Sequence, residues 1–336
     1  MDKILTVSIA AYNVEKFLSK TLDSLVCDEQ IMKKLDIIIE NDGSTDKTRE
    51  IAQKYVELYP DSIRLENKKN GGYGSTINNS IKIAKGKYFK QLDGDDWFKT
   101  ENLGEFVEFL EKTDSDLVIS PFYFCYENGK KDSLEDKFDL SSDSQNIDGK
   151  LLNGALYMHE LAVKTSIFKD NNVLITEKCF YTDLEYVVLP LIYSKTISKF
   201  SQPIYCYRIG VEGQSISVEG MKKHYRDAVI VAKKLYKFFY QNNKRISTDL
   251  RQYILNEKIL QITRFVYSAY AVLGGKIEYR KELVRFDKGL KKHYPDIYEA
   301  SKNIRIISFL RNYRFIPYPI RCALVKRKVI NEINKG

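Results

Sequence analysis

Residues 35–42, LDIIIEND, form an unbroken apolar run that ends abruptly in polar turn residues. A run of this length and composition reads as a strand buried on both faces, and such strands belong to parallel sheets covered by helices. The flanking segments repeat the pattern. ILTVSIAAY is a strand, and VEKFLSKTLDSLV has helical apolar spacing at Phe17, Leu18, Leu22 and Leu25. KTREIAQKYVELY reads as a helix capped by Ser44 or Thr45, SIRLEN as a third strand, GSTINNSIKIAKG as a helix stopped by Gly86, and KYFKQLD as a fourth strand. This βαβα alternation predicts an α/β fold with a doubly wound, mostly parallel sheet. Ligands of such sheets bind beyond the carboxyl ends of the strands. Tyr12 and Asn13, Asp42, and then Asp93, Asp95 and Asp96 all follow predicted strands.

Three carboxylates within four positions repel one another and need positive charge nearby. Alternate carboxylates at a strand end can face a common divalent cation, and oxygen ligands suit Mn²⁺ or Mg²⁺. Competing motifs fail on spacing. An EF-hand starting at Asp93 would have Trp97 and Gly104 at ligand positions. GGYGST has Ile77 in place of the third glycine of a dinucleotide fingerprint, and no GxxxxGK[ST] occurs. The three histidines, at 159, 224 and 293, are too far apart in sequence to suggest a zinc site.

Charge divides the chain. From residue 217 onward there are 27 Lys and Arg against 10 Asp and Glu, whereas residues 1–216 carry 27 against 35. The expected organisation is a catalytic domain over 1–216 and a basic helical region over 217–336, joined near the glycine- and serine-containing GVEGQSIS. Five scattered cysteines read as reduced thiols, and the N-terminal segment reads as a strand rather than a signal peptide, so a cytoplasmic location is expected. The regularly spaced Tyr and Phe of the basic third read as helix packing, and no nucleic-acid partner is expected. Residues 303–330 mix Arg and Lys with Ile, Phe and Leu. This suits either an interfacial segment on an anionic membrane surface or helices packed on the domain or on a second copy of the chain.

Five blocks in order resemble the family 2 inverting glycosyltransferases of GT-A fold: VSIAAYN, IIIENDGSTD, NGGYGSTINNSIKIAKGKYFKQLDGDDWF, FYTDLEYVVLPLI and YCYRIGVEGQSIS. Within them Asn41 replaces the first aspartate of a DDGSTD block, and Thr182 stands where the family usually has glutamate. The resemblance implies a UDP-sugar donor, a glycan or lipid-linked glycan acceptor, and a role in bacterial surface polysaccharide synthesis. It implies a donor site built from Ala11, Tyr12, Asn13, Asp42, Lys69, Gly72, Asn78, Asp93 and Arg208. In that site Tyr12 stacks on the uracil, Asp42 accepts its ring N–H, and Arg208 meets the diphosphate. Asp95, with Asp93, holds the metal. Asp183 is the implied catalytic base, with Glu177 and Glu185 as alternatives; its position also suits a helix cap. Asp96 is expected to accept backbone hydrogen bonds in the following turn, Tyr73 to lie near the donor site or simply to pack, and His159 to sit in an ordinary polar environment or to contact the acceptor.

Overall fold

The structure, a computed structural model, describes residues 2–126, 130–133, 138–210, 217–319 and 322. Parts of three predicted features lie outside the described residues: the linker over 211–216, part of the polar insertion over 127–150, and nearly all of the basic segment beyond 319. The chain divides into two compact units, Met1–Lys178 with Thr182–Val211, and Cys179–Tyr181 with Glu212–Gly336.

The strands of the first unit, in chain order, are β1 (Leu5–Ala11), β2 (Leu35–Asn41), β3 (Ile63–Asn67), β4 (Tyr88–Asp93), β5 (Trp97–Phe98) and β6 (Leu117–Ile119). They are followed by β7 (Phe122–Tyr126), β8 (Lys131–Ser133), β9 (Gln145–Asn146), β10 (Leu161–Lys164), β11 (Thr196–Lys199) and β12 (Tyr205–Ile209). Eight form one sheet in the order β3-β2-β1-β4-β10-β6-β11-β9, and four form a second in the order β5-β12-β7-β8. The four strands expected from the sequence pair in parallel at one end of the large sheet, and β10 runs antiparallel to β4. Every residue of β2 is buried, as its unbroken apolar run requires. In register, Ala10 lies opposite both Glu40 and Asp93, which brings the residues after β1, β2 and β4 to one sheet edge.

Local boundaries differ from expectation where loop side chains compete for backbone groups. Only Leu18–Asp23 of the expected helix over 14–26 is helical. The amides of Asn13, Val14 and Glu15 instead donate to Ser44 Oγ, Thr48 Oγ1 and Asp46 Oδ2. The next helix, Thr48–Leu58, is capped by neither Ser44 nor Thr45; Asp46 Oδ1 accepts the Thr48 amide at 3.0 Å. Helix Tyr73–Ile83 ends before Gly86, whose small size serves a different need. An added Cβ on Gly86 would lie 2.3 Å from the Thr6 nitrogen, where the chain passes β1.

Helix Tyr73–Ile83 is fixed to the sheet by a buried polar contact. The Glu40 carboxylate accepts Asn79 Nδ2 and Ser80 Oγ, each at 2.8 Å. Gly74 lets the same helix approach the following loop, since a Cβ there would meet the Thr176 carbonyl oxygen at 2.1 Å.

The second unit is helical: Val218–Asn242, Thr248–Ile254 continuing through a π turn into Leu260–Val272, then Ile277–His293, Pro295–Ala300 and Arg305–Asn312. Residues 179–181 belong to it, with Phe180 stacked on His224 at 3.6 Å between ring centroids. Among the described residues no helix is long and apolar enough to cross a membrane. The predicted interfacial segment is largely packed up to residue 319. Ile306, Ile307, Leu310, Phe315 and Tyr318 are buried, and Arg311 pairs with Asp287 at 2.7 Å. This removes most of the apolar surface that insertion into a leaflet would use, leaving Tyr313 and Ile316 exposed.

Burial raises the Glu40 carboxyl from 4.5 to about 7 against the opposing hydrogen bonds from Ser80 and Asn79. Between those values the folded chain holds a proton that the unfolded chain has lost, so this contribution to stability falls as pH rises. The prediction is that wild type loses roughly 1–3 kcal/mol relative to Glu40→Gln between pH 4.5 and 7.5 in urea unfolding. Parallel pH profiles for the two proteins would contradict it.

Candidate active site

The carboxyl edge of β1, β2 and β4 gathers most of the residues singled out from the sequence. Ala11 ends β1, and its carbonyl accepts the Asp42 amide at 2.9 Å. Tyr12 is 53% exposed, which leaves its ring available to stack on a planar ligand. Asn13, at φ 54°, uses its side-chain oxygen to accept the Thr45 amide at 2.9 Å, so it locks the 44–45 loop. Asp42 is buried and anchors the loop before helix Tyr73–Ile83 by accepting the amides of Gly71 and Gly72 and the Lys68 ammonium. Gly72, at φ 80°, occupies the helix N-cap. Lys68, which the sequence reading did not single out, is the lysine that meets Asp42.

Lys69 and Asn78 stand elsewhere. Both line a basic cavity of about 830 Å³ between helix Tyr73–Ile83 and residues 168–178, and that cavity includes none of the three clustered aspartates. The Asn78 amide ties its helix to a distant loop, bonding the Ile175 carbonyl and amide at 2.9 and 2.8 Å. The structure thus does not bring these two residues to the carboxylate cluster.

At the end of β4, Tyr73 donates its hydroxyl to Asp93 Oδ1 at 2.7 Å, so of its two readings packing alone does not describe it. The buried Tyr205 hydroxyl accepts the Asp93 amide and donates to Asp96 Oδ2 at 2.6 Å. Asp96 Oδ1 accepts the Arg208 amide at 2.7 Å. Its donors come from β12, not from the next turn. Arg208 Nε reaches back to the Asp95 carbonyl at 2.8 Å, while the guanidinium lies over Trp97 and Phe17 at 4.8 and 4.7 Å. That contact is to the backbone, and among the described residues no side chain hydrogen-bonds the Asp95 carboxylate.

Burial, and then the charge on Asp95, push the Asp93 carboxyl up to about 7, with Asp183 adding to the effect and Tyr73 opposing it. Asp95 is also raised by burial, with Arg208 opposing. Burial raises Asp96 well above the usual carboxylate range, reinforced by Asp93 and Asp95. Asp183 begins helix Asp183–Tyr193, whose N-cap is Thr182 rather than Asp183 itself. Its charge is felt at Asp93, Tyr73 and Tyr207, so the exposed carboxylate faces the same cluster. Glu185 is fully buried and bonds the Thr176 amide and hydroxyl, each at 2.8 Å. Glu177 accepts Asn78 Nδ2 and lines the basic cavity. Of the three acidic candidates for a base, Asp183 is the one whose charge reaches the cluster.

His159 is not in an ordinary polar environment. Its ring stacks on Tyr207 at 4.4 Å between centroids, with Tyr205 and Phe122 close by. Its Nδ1 is buried without a partner, and burial lowers its pKa to about 3. One ligating atom each from Asp93, Asp96 and His159 lie within 4.8 Å of one another. Each oxygen of Asp96 already accepts one hydrogen bond, from Tyr205 and from the Arg208 amide, so Asp93 and Asp95 are the less engaged carboxylates and the better placed to meet a hard cation.

Residues 6–172 match the model described as Glycosyl transferase family 2. The chain belongs to glycosyltransferase family 2. The chain is 36% identical over 130 residues to an uncharacterized glycosyltransferase, the MG025 homolog of Mycoplasma pneumoniae, covering 38% of this chain and 42% of that protein. It is 28% identical over 216 residues to a poly(ribitol-phosphate) beta-glucosyltransferase of Bacillus spizizenii, covering 64% of this chain and 33% of that enzyme. It thus spans less than half the length of the curated relatives it matches. The crystal structure of S. aureus TarS 1–349 superposes with a TM-score of 0.68 at 18% identity, over 99% of this chain and 92% of that one. That likeness establishes the GT-A fold with its helical C-terminal region.

Tyr73 is the only side-chain donor to Asp93 among the described residues. Tyr73→Phe should therefore weaken Mn²⁺ binding at the cluster by about tenfold, the scale of a lost hydrogen bond to a charged group. Paramagnetic resonance of free Mn²⁺ measures this directly, and unchanged affinity would separate Tyr73 from the site.

Proposed function

We propose that the protein transfers a sugar, with inversion, from a UDP-sugar to a glycan or phosphate-bearing polyol chain of a bacterial surface polymer. The observation that carries this reading is the convergence of Asp93, Asp95 and Asp183 at one sheet edge, beside the exposed ring of Tyr12. TarS has been crystallised with UDP-GlcNAc, which supports a UDP-sugar as the donor to test first. Tyr12 stacks on the base, and the one remaining acceptor position on Asp42 takes the ring N–H. Asp93 and Asp95 fit a Mn²⁺ or Mg²⁺ ion, being carboxylates whose pKa values burial raises, that of Asp93 further by the charge on Asp95, with Arg208 as the nearby cation. Such an ion would supply charge neutralisation for the leaving diphosphate.

Arg208, held by Asp95 and the aromatic faces of Phe17 and Trp97, adds positive charge on the same side. Asp183 takes the proton from the acceptor hydroxyl as that oxygen attacks. Its place in the first turn of helix Asp183–Tyr193 orients it. The phosphate-bearing acceptor rests on the relative named for poly(ribitol-phosphate), and the proposed setting is the cytoplasmic side of the membrane. Within residues 303–319, the exposed large apolar side chains available for membrane contact are Tyr313 and Ile316.

Turnover of a UDP-sugar panel with Mn²⁺ tests the proposal. EDTA should abolish it, and Asp95→Asn should sharply weaken metal-dependent UDP binding; calorimetry showing unchanged UDP affinity in both cases would remove the metal role. Asp183→Asn should leave UDP affinity and Tm near wild type while slowing transfer at least about a hundredfold. Near-normal transfer would reassign the base.

A further inference from the structure

The second unit contains a cavity of about 580 Å³ between helices Val218–Asn242 and Ile277–His293 that the donor chemistry does not use. Cations stand on both lips. Lys233 and Lys237 come from the first helix and Arg285 from the second, where the imidazole of His293 also lines the groove. All four side chains are exposed, and none is in an ion pair among the described residues. Glu282, the carboxylate in the lining, is already engaged by Arg226 at 3.3 Å and by the Tyr270 hydroxyl at 3.1 Å. The groove is therefore unbalanced towards positive charge.

Its shape has a sequence cause. Arg285, Gly289 and His293 are spaced four residues apart, so they form one stripe along the helix. A mid-helix glycine weakens a helix relative to alanine, and packing gives no reason for this one. A Cβ on Gly289 would meet nothing within 4 Å. The space in front of it is the groove. The floor includes Tyr236 and Phe286, which are 1% and 8% exposed. Rings buried to that extent offer no open faces on which nucleobases could stack. A recess rimmed by cations is also unlike the protruding apolar surface that a bilayer takes.

We propose that this groove binds an anionic, phosphodiester-linked polyol or sugar chain, holding the acceptor polymer at a site separate from the one where transfer occurs. This rests on the proposed function for the choice of polymer. The exposed cations meet successive phosphates, and the groove between them accommodates the intervening polyol or sugar.

The test uses the full chain and short poly(ribitol phosphate) oligomers, with calorimetry at low and high salt and no UDP-sugar present. Wild type should bind, and binding should weaken with salt because exposed charges are screened over roughly 10 Å at 0.1 M. The double variant Lys233→Glu, Arg285→Glu should bind about tenfold or more weakly, on the scale of lost charge-assisted contacts. Gly289→Leu should fill the recess and weaken binding while leaving Tm unchanged or higher, a combination that general damage to the fold does not produce. Hydrolysis of UDP-sugar by these variants should match wild type. Absence of oligomer binding by wild type, binding insensitive to both variants, or equal affinity for single-stranded RNA or anionic vesicles would each overturn the proposal. Loss of UDP-sugar turnover in the wild-type preparation would instead count against the proposed transferase reaction, so the two failures are distinguishable.

Discussion

Mutual repulsion among carboxylates at one sheet edge is the constraint around which the first unit is arranged. Asp93, Asp95 and Asp96 sit within four residues, and Asp183 adds its field from another helix. A fold that holds them together must supply donors without neutralising all of them. Tyr205 and the Arg208 amide take both oxygens of Asp96, and Tyr73 takes one oxygen of Asp93. This division separates a carboxylate that braces the β4–β12 junction from carboxylates left available to a cation. Buried acidic groups with raised pKa values are common where catalysis needs charge to be supplied by a ligand.

A second set of contacts fixes the helix that brings Tyr73 to the cluster. Asp42 holds the turn before it through two amides and Lys68, and Glu40 holds its middle through Asn79 and Ser80. Gly74 permits the helix to lie against the loop that leads to Asp183. Acidic residues of β2 thus position the helix from which Tyr73 bonds an acidic residue of β4. The cost of burying these carboxylates is offset by several charge-assisted hydrogen bonds, and each group depends on the placement of the others.

The second unit is organised differently. Among the described residues its one deeply buried ion pair, Arg311 with Asp287, is shared with the Tyr267 hydroxyl and tethers helix Arg305–Asn312. Arginine is suited to this, since its fork also reaches the Tyr298 carbonyl and the Ser301 hydroxyl. The surplus of basic residues is therefore not uniform in role. Arg311 is structural, whereas the lysines and arginine along the groove face solvent.

The sequence by itself determined the parallel strands, their order of appearance and the acidic strand ends, because these are encoded in local periodicity and turn chemistry. β2 was legible from LDIIIEND, and Asp93, Asp95 and Asp42 from their places just after strands. Tertiary structure decided which donors meet which carboxylates. Tyr205 and Asp96 are 109 positions apart, and Glu185 is removed from the candidate bases by Thr176 rather than by any property of its own segment. YCYRI was singled out only as part of a family block; its forming a strand paired with WF and FYFCY, and hence the tyrosine beneath Asp93, follows from a second sheet that no local pattern specifies. Lys68 and Lys69 are adjacent and chemically identical, and only the course of the backbone before Gly71 selects the one that reaches Asp42. Local pattern sets which elements form; the pairing of buried polar groups across distant segments sets what each site residue does.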